Sequence, residues 1–520
     1  MNPLQTKFKI SRYWIVSIMF IVAKLSLHFF TNTNYELHRD EMLYFNMADH
    51  LSTGYATVPP VIGLLAFIVK SIFGYSVFGI RFIPALLGAV SLFIIAKIVR
   101  ELGGGILALI IASSAFIFST GFLLFDTLFT PNVVEQFFWL LTTYFIFRMV
   151  SQNNPKLWIP IGILLGLSFL TKYSVLYYIL GFFVTMQFSD HRKLFNSRYF
   201  YYSIVIGIVI ILPNLLWQYK NGWPVFYHMS ELKRTQMVNL TYTDYFVDIF
   251  SLNMASTIIW VTGLVSLIFI KKERESQYVG IASLLIMLLF LFSKGKGYYI
   301  LGLIPFLFAF GGYILEKYLK DRFVYINYFI LLITLSFSLA ALPFGLPLLS
   351  FEKLSRYIAK TDHLIIYPFY RWEDGKIHNI SQAYSDMTGW KELAGIVGKT
   401  YSGLSKEEQS GCIIYVESNY GDAAAINFYG KKYNLPDAVT FLESYVIWAP
   451  DTIPKGPFIY INRELGDIDK LFKNVVKAGT VNNSYFRENG LLVYLCNDPA
   501  VNVQEVYRQK AIEEKKRYRR

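Results

Sequence analysis

The stretch Phe323–Leu342, FVYINYFILLITLSFSLAAL, decides the class of fold, because it is 20 residues long and carries no charged side chain. An α-helix needs about 20 apolar residues to cross the hydrocarbon core of a bilayer. This run is also the last of its kind, and charged residues become frequent after Leu342. The sequence therefore predicts a membrane region at 1–342 and a water-soluble extracytoplasmic α/β region at 343–520.

The composition of the whole chain supports a membrane protein. Apolar residues make up 54% of the chain and charged residues only 16%, whereas soluble domains carry about 25% charged residues. We predict a polytopic α-helical membrane protein with about eleven transmembrane helices. The predicted spans are 13–30, 79–99, 106–122, 131–150, 157–171, 174–188, 201–217, 252–270, 278–293, 298–315 and 323–342.

The net charge of +13 indicates how the chain is oriented in the membrane and does not indicate a nucleic-acid partner. Most basic residues before Leu342 lie in short loops between apolar runs. The loops richest in Lys and Arg alternate along the chain. They contain Lys7, Lys9 and Arg12; Arg100; Arg148 and Lys156; Arg192, Lys193 and Arg198; Lys271, Lys272 and Arg274; and Lys317, Lys320 and Arg322. The positive-inside rule puts these loops and the N-terminus in the cytoplasm, and residues 343–520 outside.

The first outside loop contains the sequence His38-Arg39-Asp40-Glu41, just past the first predicted span. Two adjacent carboxylates at a membrane face provide a general base for activating a hydroxyl. The simpler interpretation is a helix N-terminus with acidic residues that complement the helix dipole. Local sequence leaves both interpretations open.

Asp126 is an isolated acid between two apolar spans. We expect either a helix cap or a second polar group that faces Asp40 across a cavity. Cations on the outside run against the positive-inside trend, and Lys172, Lys294 and Lys296 are three of them. Ammonium groups flanked by glycine suit a lipid phosphate, while snorkelling to the interface is the alternative for Lys172.

The loop 218–251 adds the sequence Asn221-Gly222-Trp223-Pro224 and, further on, His228 and Arg234. Its aromatic residues suit stacking on a sugar, and they suit an interfacial aromatic belt equally well. The sequence contains no P-loop, HExxH or CxxC motif, which disfavours nucleotide hydrolysis and zinc-protease chemistry. It indicates no required cofactor and no metal ligands, and metal dependence stays open.

Several motifs occur in one order along the chain: Asp40-Glu41, Gly54-Tyr55 to Pro59-Pro60, Gly166-Leu167 to Thr171-Lys172-Tyr173, Asn221-Gly222-Trp223 and Lys296-Gly297-Tyr298-Tyr299. With them the chain resembles the GT-C superfamily of glycosyltransferases. Within that superfamily it is similar to the bacterial family 39 branch, related to protein mannosyltransferases and to the aminoarabinose transferase of lipid A. The branch often has His before the two prolines, where this chain has Val58.

The resemblance implies inverting transfer of a sugar from a polyprenyl phosphate to a glycan, lipid or protein acceptor of the cell envelope. It also implies a bacterial inner membrane location with the C-terminal region in the periplasm. The resemblance implies that Asp40 is the base or acceptor-orienting acid, that Asp126 is a second outside acid, and that Lys172 and Lys296 meet the donor phosphate. From the sequence we add Glu41 to the catalytic residues and Lys294, Tyr298 and Arg234 to the donor-phosphate residues, and we predict that His38, Arg39, Tyr55, Trp223 and His228 bind the acceptor or sugar.

The region 343–520 contains strand-like runs at 412–416, 458–462 and 491–496 and helix-like stretches at 388–402 and 464–477. This mixture predicts a small α/β domain, which recruits acceptor, covers the site or serves only as a structural cap. Cys412 and Cys496 either pair or remain separate buried thiols. The charged end at 513–520 is predicted to be a solvated, disordered tail, and contact with anionic lipid is the alternative.

Two other functions compete with the glycosyltransferase. A polytopic transporter of a lipid-linked or anionic solute would also have many spans, but transporters usually show internal repeats and charges near the bilayer midplane. No repeat is visible here, and the acids lie at span ends. A non-catalytic scaffold is the second alternative.

Overall fold

The computed structural model describes residues 11–235, 237–361 and 371–519. The helices up to Thr361 are α1 (Arg12–Thr31), α2 (Arg39–Asn46), α3 (Val61–Phe73), α4 (Val77–Glu101), α5 (Ile106–Phe118), α6 (Thr120–Phe125), α7 (Pro131–Ser151), α8 (Trp158–Phe169), α9 (Val175–Gln187), α10 (Arg198–Lys220), α11 (Pro224–Thr235), α12 (Tyr242–Asn253), α13 (Thr257–Phe269), α14 (Gln277–Phe292), α15 (Ile304–Tyr318), α16 (Val324–Gly345) and α17 (Phe351–Thr361).

The C-terminal region alternates helices and strands. Its elements are α18 (Gln382–Ser385), α19 (Trp390–Ser402), α20 (Lys406–Gly411), β1 (Ile413–Val416), α21 (Tyr420–Tyr429), α22 (Tyr445–Trp448), β2 (Phe458–Asn462), α23 (Ile468–Leu471), β3 (Phe472–Thr480), β4 (Leu492–Pro499) and α24 (Val503–Arg517).

The chain is a membrane protein, because seven of the helices in the described residues are long and apolar enough to cross a bilayer. Each predicted span overlaps an observed helix, and the predicted polytopic fold is confirmed. Four shorter apolar helices accompany the seven, at Val61–Phe73, Ile106–Phe118, Pro155–Phe169 and Val175–Gln187. The first of these was not predicted, because it lies inside the outside loop 31–78. The predicted domain boundary stays a prediction.

Glycine allows two membrane helices to cross at close range. A Cβ atom on Gly311 of α15 would lie 2.1 Å from the carbonyl oxygen of Ile259, and one on Gly263 of α13 would lie 2.3 Å from that of Leu307. Small residues at such crossings let helix backbones approach, and membrane helices associate largely through this packing. The α13–α15 pair therefore depends on both glycines.

We expect Gly311→Ala to destabilise the bundle by about 1–3 kcal/mol, because the added methyl group forces α13 and α15 apart. The matched control is Gly207→Ala in α10, where the nearest atom to a new Cβ lies 3.7 Å away. Thermal unfolding of both variants in detergent measures the difference. Equal melting temperatures would show that the crossing tolerates a side chain.

The C-terminal region is built on a four-stranded sheet with strand order β1-β2-β4-β3. Strands β1 and β2 are parallel, and the other two pairings are antiparallel. The three predicted strands match β1, β2 and β4 closely. This mixed α/β region confirms the remaining part of the predicted fold class.

The predicted helix at 464–477 is mostly wrong, because only Ile468–Leu471 is helical and β3 follows at once. Val475 and Val476 pair there with Cys496 and Leu495 of β4. β-Branched side chains fit a pleated surface better than a helix, and strand pairing outweighs the amphipathic pattern.

Two other expectations for this region are settled by the structure. Cys412 and Cys496 are separate buried thiols, so the alternative without a disulfide holds. The charged end is helical rather than disordered up to Arg517, because these residues belong to α24. Lys510 of this helix pairs with Glu417 at 2.8 Å, and Arg520 lies outside the described residues.

Helix α2 of the first outside loop packs directly against the C-terminal region. A Cβ atom on Gly421 would lie 2.9 Å from the Cβ of Arg39, so α21 and α2 approach closely. The Leu37 amide donates to the Tyr429 hydroxyl at 2.9 Å, and the Trp390 amide donates to Glu36 at 2.8 Å. The C-terminal region therefore forms one wall around the His38–Glu41 motif.

Candidate active site

The His38–Glu41 motif is the N-terminus of α2, and two of its four side chains cap that helix. The His38 ring accepts from the Asp40 amide at 3.1 Å, and Glu41 accepts from the His38 amide at 2.8 Å. This reciprocal pair is a capping box. The cap is complete without the Asp40 side chain, which is 31% exposed and available for another role.

Glu41 is wholly buried and holds the outside loop to the membrane bundle. Its carboxylate pairs with Arg81 of α4 at 2.8 Å, and both side chains are 0% exposed. It also accepts from the Phe129 amide at 3.0 Å. Arg81 donates further to the carbonyl oxygen of Asn32 at 2.7 Å. This geometry favours a structural role for Glu41 over the predicted catalytic role.

Asp40 lies among groups that keep its carboxylate ionised. The Tyr420 hydroxyl donates to it at 2.5 Å, while the Arg39 Nε and His38 Nδ1 atoms lie 3.8 and 3.9 Å away. Burial acts to raise the pKa of Asp40, but His38, Arg39 and Tyr420 outweigh it, so the pKa lies below its ordinary value. Asp40 is therefore a charged carboxylate near neutral pH.

An ion-pair cluster joins this motif to the C-terminal region. Arg39 lies 3.3 Å from Asp386 and 3.5 Å from Glu373. Arg487 lies 3.3 Å from Asp386 and 3.4 Å from Glu373, and Lys296 pairs with Glu373 at 3.1 Å. Burial raises the pKa of Glu373, but Lys296, Arg39 and Arg487 lower it to about 2. Arg39, Lys296, Glu373, Asp386 and Arg487 are called the ion-pair cluster below.

The sequence did not reveal three members of this cluster. Glu373, Asp386 and Arg487 belong to no recognised motif, and they reach Arg39 only through the packing of α2 against the C-terminal region. The local indication of a site in this segment was an acidic residue, Glu373, with aromatic residues beside it. Predicting the contacts needed the fold.

Lys172 follows α8 and lies over two aromatic rings. Its Nζ atom is 4.1 Å from the ring centre of Tyr299 and 5.5 Å from that of Tyr298. It donates to the Asn132 side chain at 2.8 Å and lies 3.4 Å from Glu135. The structure thus brings Lys172 and Tyr298 together, as the sequence predicted, and adds two residues from α7.

Tyr44 lies on α2, one turn after Asp40. Its pKa is raised by burial first, then by the charges of Asp40 and Glu443, and Tyr299 contributes as well. The Tyr44 hydroxyl is therefore influenced by both carboxylates and by the tyrosine over which Lys172 lies. The residues Asp40, Tyr44, Lys172, Tyr299 and Glu443 are called the polar site below.

Glu443 is the second carboxylate of the polar site. It lies 3.7 Å from His228 of α11, and its side chain is 27% exposed. Burial and then the charge of Asp40 raise the pKa of Glu443 to about 7, while burial lowers the pKa of His228 to about 4. His228, predicted to bind acceptor or sugar, thus lies beside the polar site. Glu443 was not predicted from the sequence, because it stands in none of the motifs used there.

The Asp126 side chain, expected either to cap a helix or to face Asp40 across a cavity, forms an ion pair inside the bundle. It is buried between helices and pairs with Lys24 of α1 at 2.7 Å. Lys24 is 0% exposed and also donates to the carbonyl oxygen of Phe122 at 2.9 Å. A buried carboxylate needs a cation, and Lys24 supplies one from within the predicted span 13–30.

Four other predicted residues are exposed or contact groups outside the polar site. Lys294 is exposed and has a φ of +54°. Arg234 is exposed and pairs with Glu231 one turn earlier in α11. Trp223 packs its ring against Phe226.

Tyr55 is the fourth of these residues, and it belongs to the core. Only 1% of its surface is exposed, so a sugar cannot reach it. Its hydroxyl donates to the carbonyl oxygen of Met47 at 3.3 Å. Among the described residues, no group of three or more His, Cys, Asp or Glu side chains is placed to hold a metal ion.

The chain is similar in sequence to known proteins. Residues 57–217 match the family of dolichyl-phosphate-mannose-protein mannosyltransferases. A lipid A galacturonosyltransferase, RgtD of Rhizobium johnstonii, is 22% identical over 194 residues, which are 37% of this chain and 41% of that protein. The match thus spans about two fifths of the relative's length.

Solved structures match over almost the whole chain. The crystal structure of ArnT from Cupriavidus metallidurans bound to undecaprenyl phosphate covers 94% of this chain and 98% of its own, with a TM-score of 0.63 and 14% identity. The apo structure of the same protein gives a TM-score of 0.63 and 14% identity over 93% of this chain and 97% of its own. The resemblance predicted from the motifs is confirmed, and the chain shares its fold with these ArnT structures.

Proposed function

We propose that this protein is a membrane glycosyltransferase that moves a sugar from a polyprenyl phosphate to an extracytoplasmic acceptor with inversion. The observation that carries the proposal is the polar site, in which the ionised Asp40 carboxylate is not needed for the helix cap and Lys172 lies over the ring of Tyr299. Asp40 is suited to bind the acceptor hydroxyl, which is the nucleophile. Lys172 is suited to bind the phosphate that leaves.

The chemistry follows from these two groups. Asp40 accepts a hydrogen bond from the acceptor hydroxyl and orients it towards the anomeric carbon of the sugar. The new oxygen–carbon bond forms as the bond from carbon to the phosphate oxygen breaks, and the electron pair leaves with the lipid phosphate. Lys172 stabilises that developing charge, because a preorganised cation in a water-poor site is effective there.

The relatives support the classes of donor and acceptor. The matching family is named for dolichyl-phosphate mannose, and the similar crystal structure holds undecaprenyl phosphate. The similar RgtD acts on lipid A, by its name. We propose a polyprenyl-phosphate sugar as donor and a cell-envelope lipid, glycan or protein as acceptor, with the protein in the bacterial inner membrane and its C-terminal region outside.

The test of this function is transfer from a panel of radiolabelled polyprenyl-phosphate sugars, with purified protein and a membrane extract that supplies acceptors. Label is expected to move from one donor to a product that remains after the donor is removed by mild acid. If label instead enters the lumen of membrane vesicles and no new covalent product forms, the transporter is favoured. No label movement from any donor would contradict both.

We expect Lys172→Met to raise the KM for the donor at least about tenfold and to lower kcat, because one charge-assisted contact to phosphate is lost. The matched control is Lys294→Met, which removes an exposed lysine near the same face. Steady-state kinetics with a titrated donor separate the two variants. Equal KM values in both would remove Lys172 from the donor site.

A further inference from the structure

A cavity lies between α9 and α14, and it begins at the end of these helices that is remote from the polar site. Its volume is about 430 Å³, which is within the range of small-molecule sites. Lys172 of the polar site precedes α9 and Tyr299 follows α14. The cavity is lined instead by residues within 184–191 and 274–288, so it is a separate feature near the opposite face of the membrane.

An apolar stripe forms the inner part of this cavity. Ile281, Leu284 and Leu288 line it from one side of α14, because residues three and four positions apart share a helix face. Their exposed fractions are 42%, 39% and 37%, so the stripe is open to the surroundings of the bundle. It suits a hydrocarbon chain that lies along α14.

Two buried hydroxyl groups belong to the lining nearer the membrane face. Thr185 is 7% exposed and Tyr278 is 2% exposed, and neither hydroxyl has a hydrogen-bond partner in the part of the chain that the structure describes. Buried polar groups in native proteins are nearly always hydrogen-bonded. An occupant of the cavity with acceptor oxygens would supply the missing partners.

Charged and polar residues stand at the mouth of the cavity. Arg274 lies 3.9 Å from Asp190, and their side chains are 76% and 86% exposed, so this ion pair is weak and the guanidinium is able to bind another anion. The His191 Nε2 atom donates to the carbonyl oxygen of Glu275 at 3.2 Å. The His191 ring also packs edge-on against Tyr278, with ring centres 5.2 Å apart, so the mouth adjoins the buried hydroxyls.

The two loops that form the mouth carry more cations than acids. The acid Glu273 is already paired with Lys317 at 2.5 Å. The mouth therefore favours a negatively charged group. The basic residues of these loops are Arg192, Lys193, Lys271, Lys272 and Arg274, and the acids are Asp190, Glu273 and Glu275.

We infer that this cavity binds an anionic phospholipid from the leaflet on the side opposite the polar site. The lipid phosphate lies beside Arg274, the ester carbonyl oxygens accept hydrogen bonds from Thr185 and Tyr278, and an acyl chain lies along the apolar stripe. From the mouth inwards the cavity presents charge, hydroxyl donors and apolar side chains. A phospholipid presents phosphate, esters and hydrocarbon in the same order. The inference goes beyond the proposed function and does not depend on it.

The test is binding of phosphatidylglycerol and of phosphatidylcholine to the delipidated full-length protein in detergent, measured by native mass spectrometry. Phosphatidylglycerol is expected to bind more tightly. Arg274→Gln is expected to weaken its binding about threefold, as for an exposed ion pair, with a smaller effect on phosphatidylcholine. The control Arg192→Gln removes an exposed arginine of the same face outside the cavity lining and is expected to match the wild type.

Thr185→Val combined with Tyr278→Phe removes both hydroxyls with little change of shape. The double variant is expected to bind phosphatidylglycerol about tenfold more weakly, because two hydrogen bonds are lost. Without lipid it is expected to melt no lower than the wild type, since neither hydroxyl has a protein partner to lose among the described residues. A double variant that binds like the wild type would contradict the assignment.

Leu285→Trp fills the cavity, which Leu285 lines from α14, and is expected to abolish retention of phosphatidylglycerol. Leu332→Trp is the matched control, because Leu332 lies on α16 and is 60% exposed. Phosphatidylglycerol binding that survives in Leu285→Trp, or equal affinity of the wild type for both lipids, would overturn the inference and leave the proposed function standing. Absence of sugar transfer would remove the proposed function and leave this lipid site standing.

Discussion

Asp40→Asn is expected to lower sugar transfer about 1,000-fold while leaving donor binding nearly intact. The amide has nearly the same shape but carries no charge and no longer orients the acceptor hydroxyl as a carboxylate does. The helix cap does not depend on the Asp40 side chain, because His38 and Glu41 complete it. The fold of α2 is therefore expected to survive the substitution.

The control for this variant is Asp49→Asn in the same outside loop. Asp49 is 46% exposed and pairs with Lys70 at the surface, so its loss is expected to leave transfer within about twofold of the wild type, as for most surface substitutions. Single-turnover assays at saturating donor measure the chemical step for both variants. Wild-type rates in Asp40→Asn would exclude Asp40 from the reaction.

Arg81→Met is expected to destabilise the protein by about 3–5 kcal/mol and to lower the yield of folded protein. The substitution leaves Glu41 as a buried charge without its cation, since both side chains are 0% exposed. It also removes the donors to the carbonyl oxygens of Asn32 and Glu36. The outside loop then loses its anchor on α4.

The double variant Arg81→Met with Glu41→Met distinguishes the ion pair from the packing around it. Removing both charges is expected to recover part of the stability, because the unpaired carboxylate is gone. Arg100→Met is the control, since Arg100 is exposed at the other end of α4. Melting temperatures in detergent compare the variants, and a double variant no better than Arg81→Met would assign the loss to packing.

The membrane part of the fold could be predicted from the sequence because apolar runs of spanning length are a strong signal. The signal failed at α3, which has only 13 residues and lies beside a polar motif. It also failed to show Lys24, because one lysine in an apolar run looks like a surface residue until Asp126 is found beside it. Which charged residues are buried, and which residues they pair with, is determined by the tertiary structure.

The candidate site could be predicted only for residues that stand in motifs. Asp40, Lys172 and Tyr298 were identified in that way, and the structure places them in or beside the polar site. His228 was named only as a polar residue of its loop, and it lies beside Glu443. Glu443 and the acids of the ion-pair cluster lie in the C-terminal region, hundreds of residues after α2. No local pattern marks a residue whose function depends on such a distant neighbour.

Electroneutrality limits what can join the ion-pair cluster. Its cations are Arg39, Lys296 and Arg487, and they face the carboxylates of Glu373, Asp386 and the adjoining Asp40. Among the described residues, three positive charges thus balance three negative ones. A phosphate that arrives there adds negative charge to this set, and partly buried charges need compensation. Occupancy by phosphate is therefore expected to be accompanied by a compensating change, such as reorientation or protonation of a carboxylate or entry of a cation.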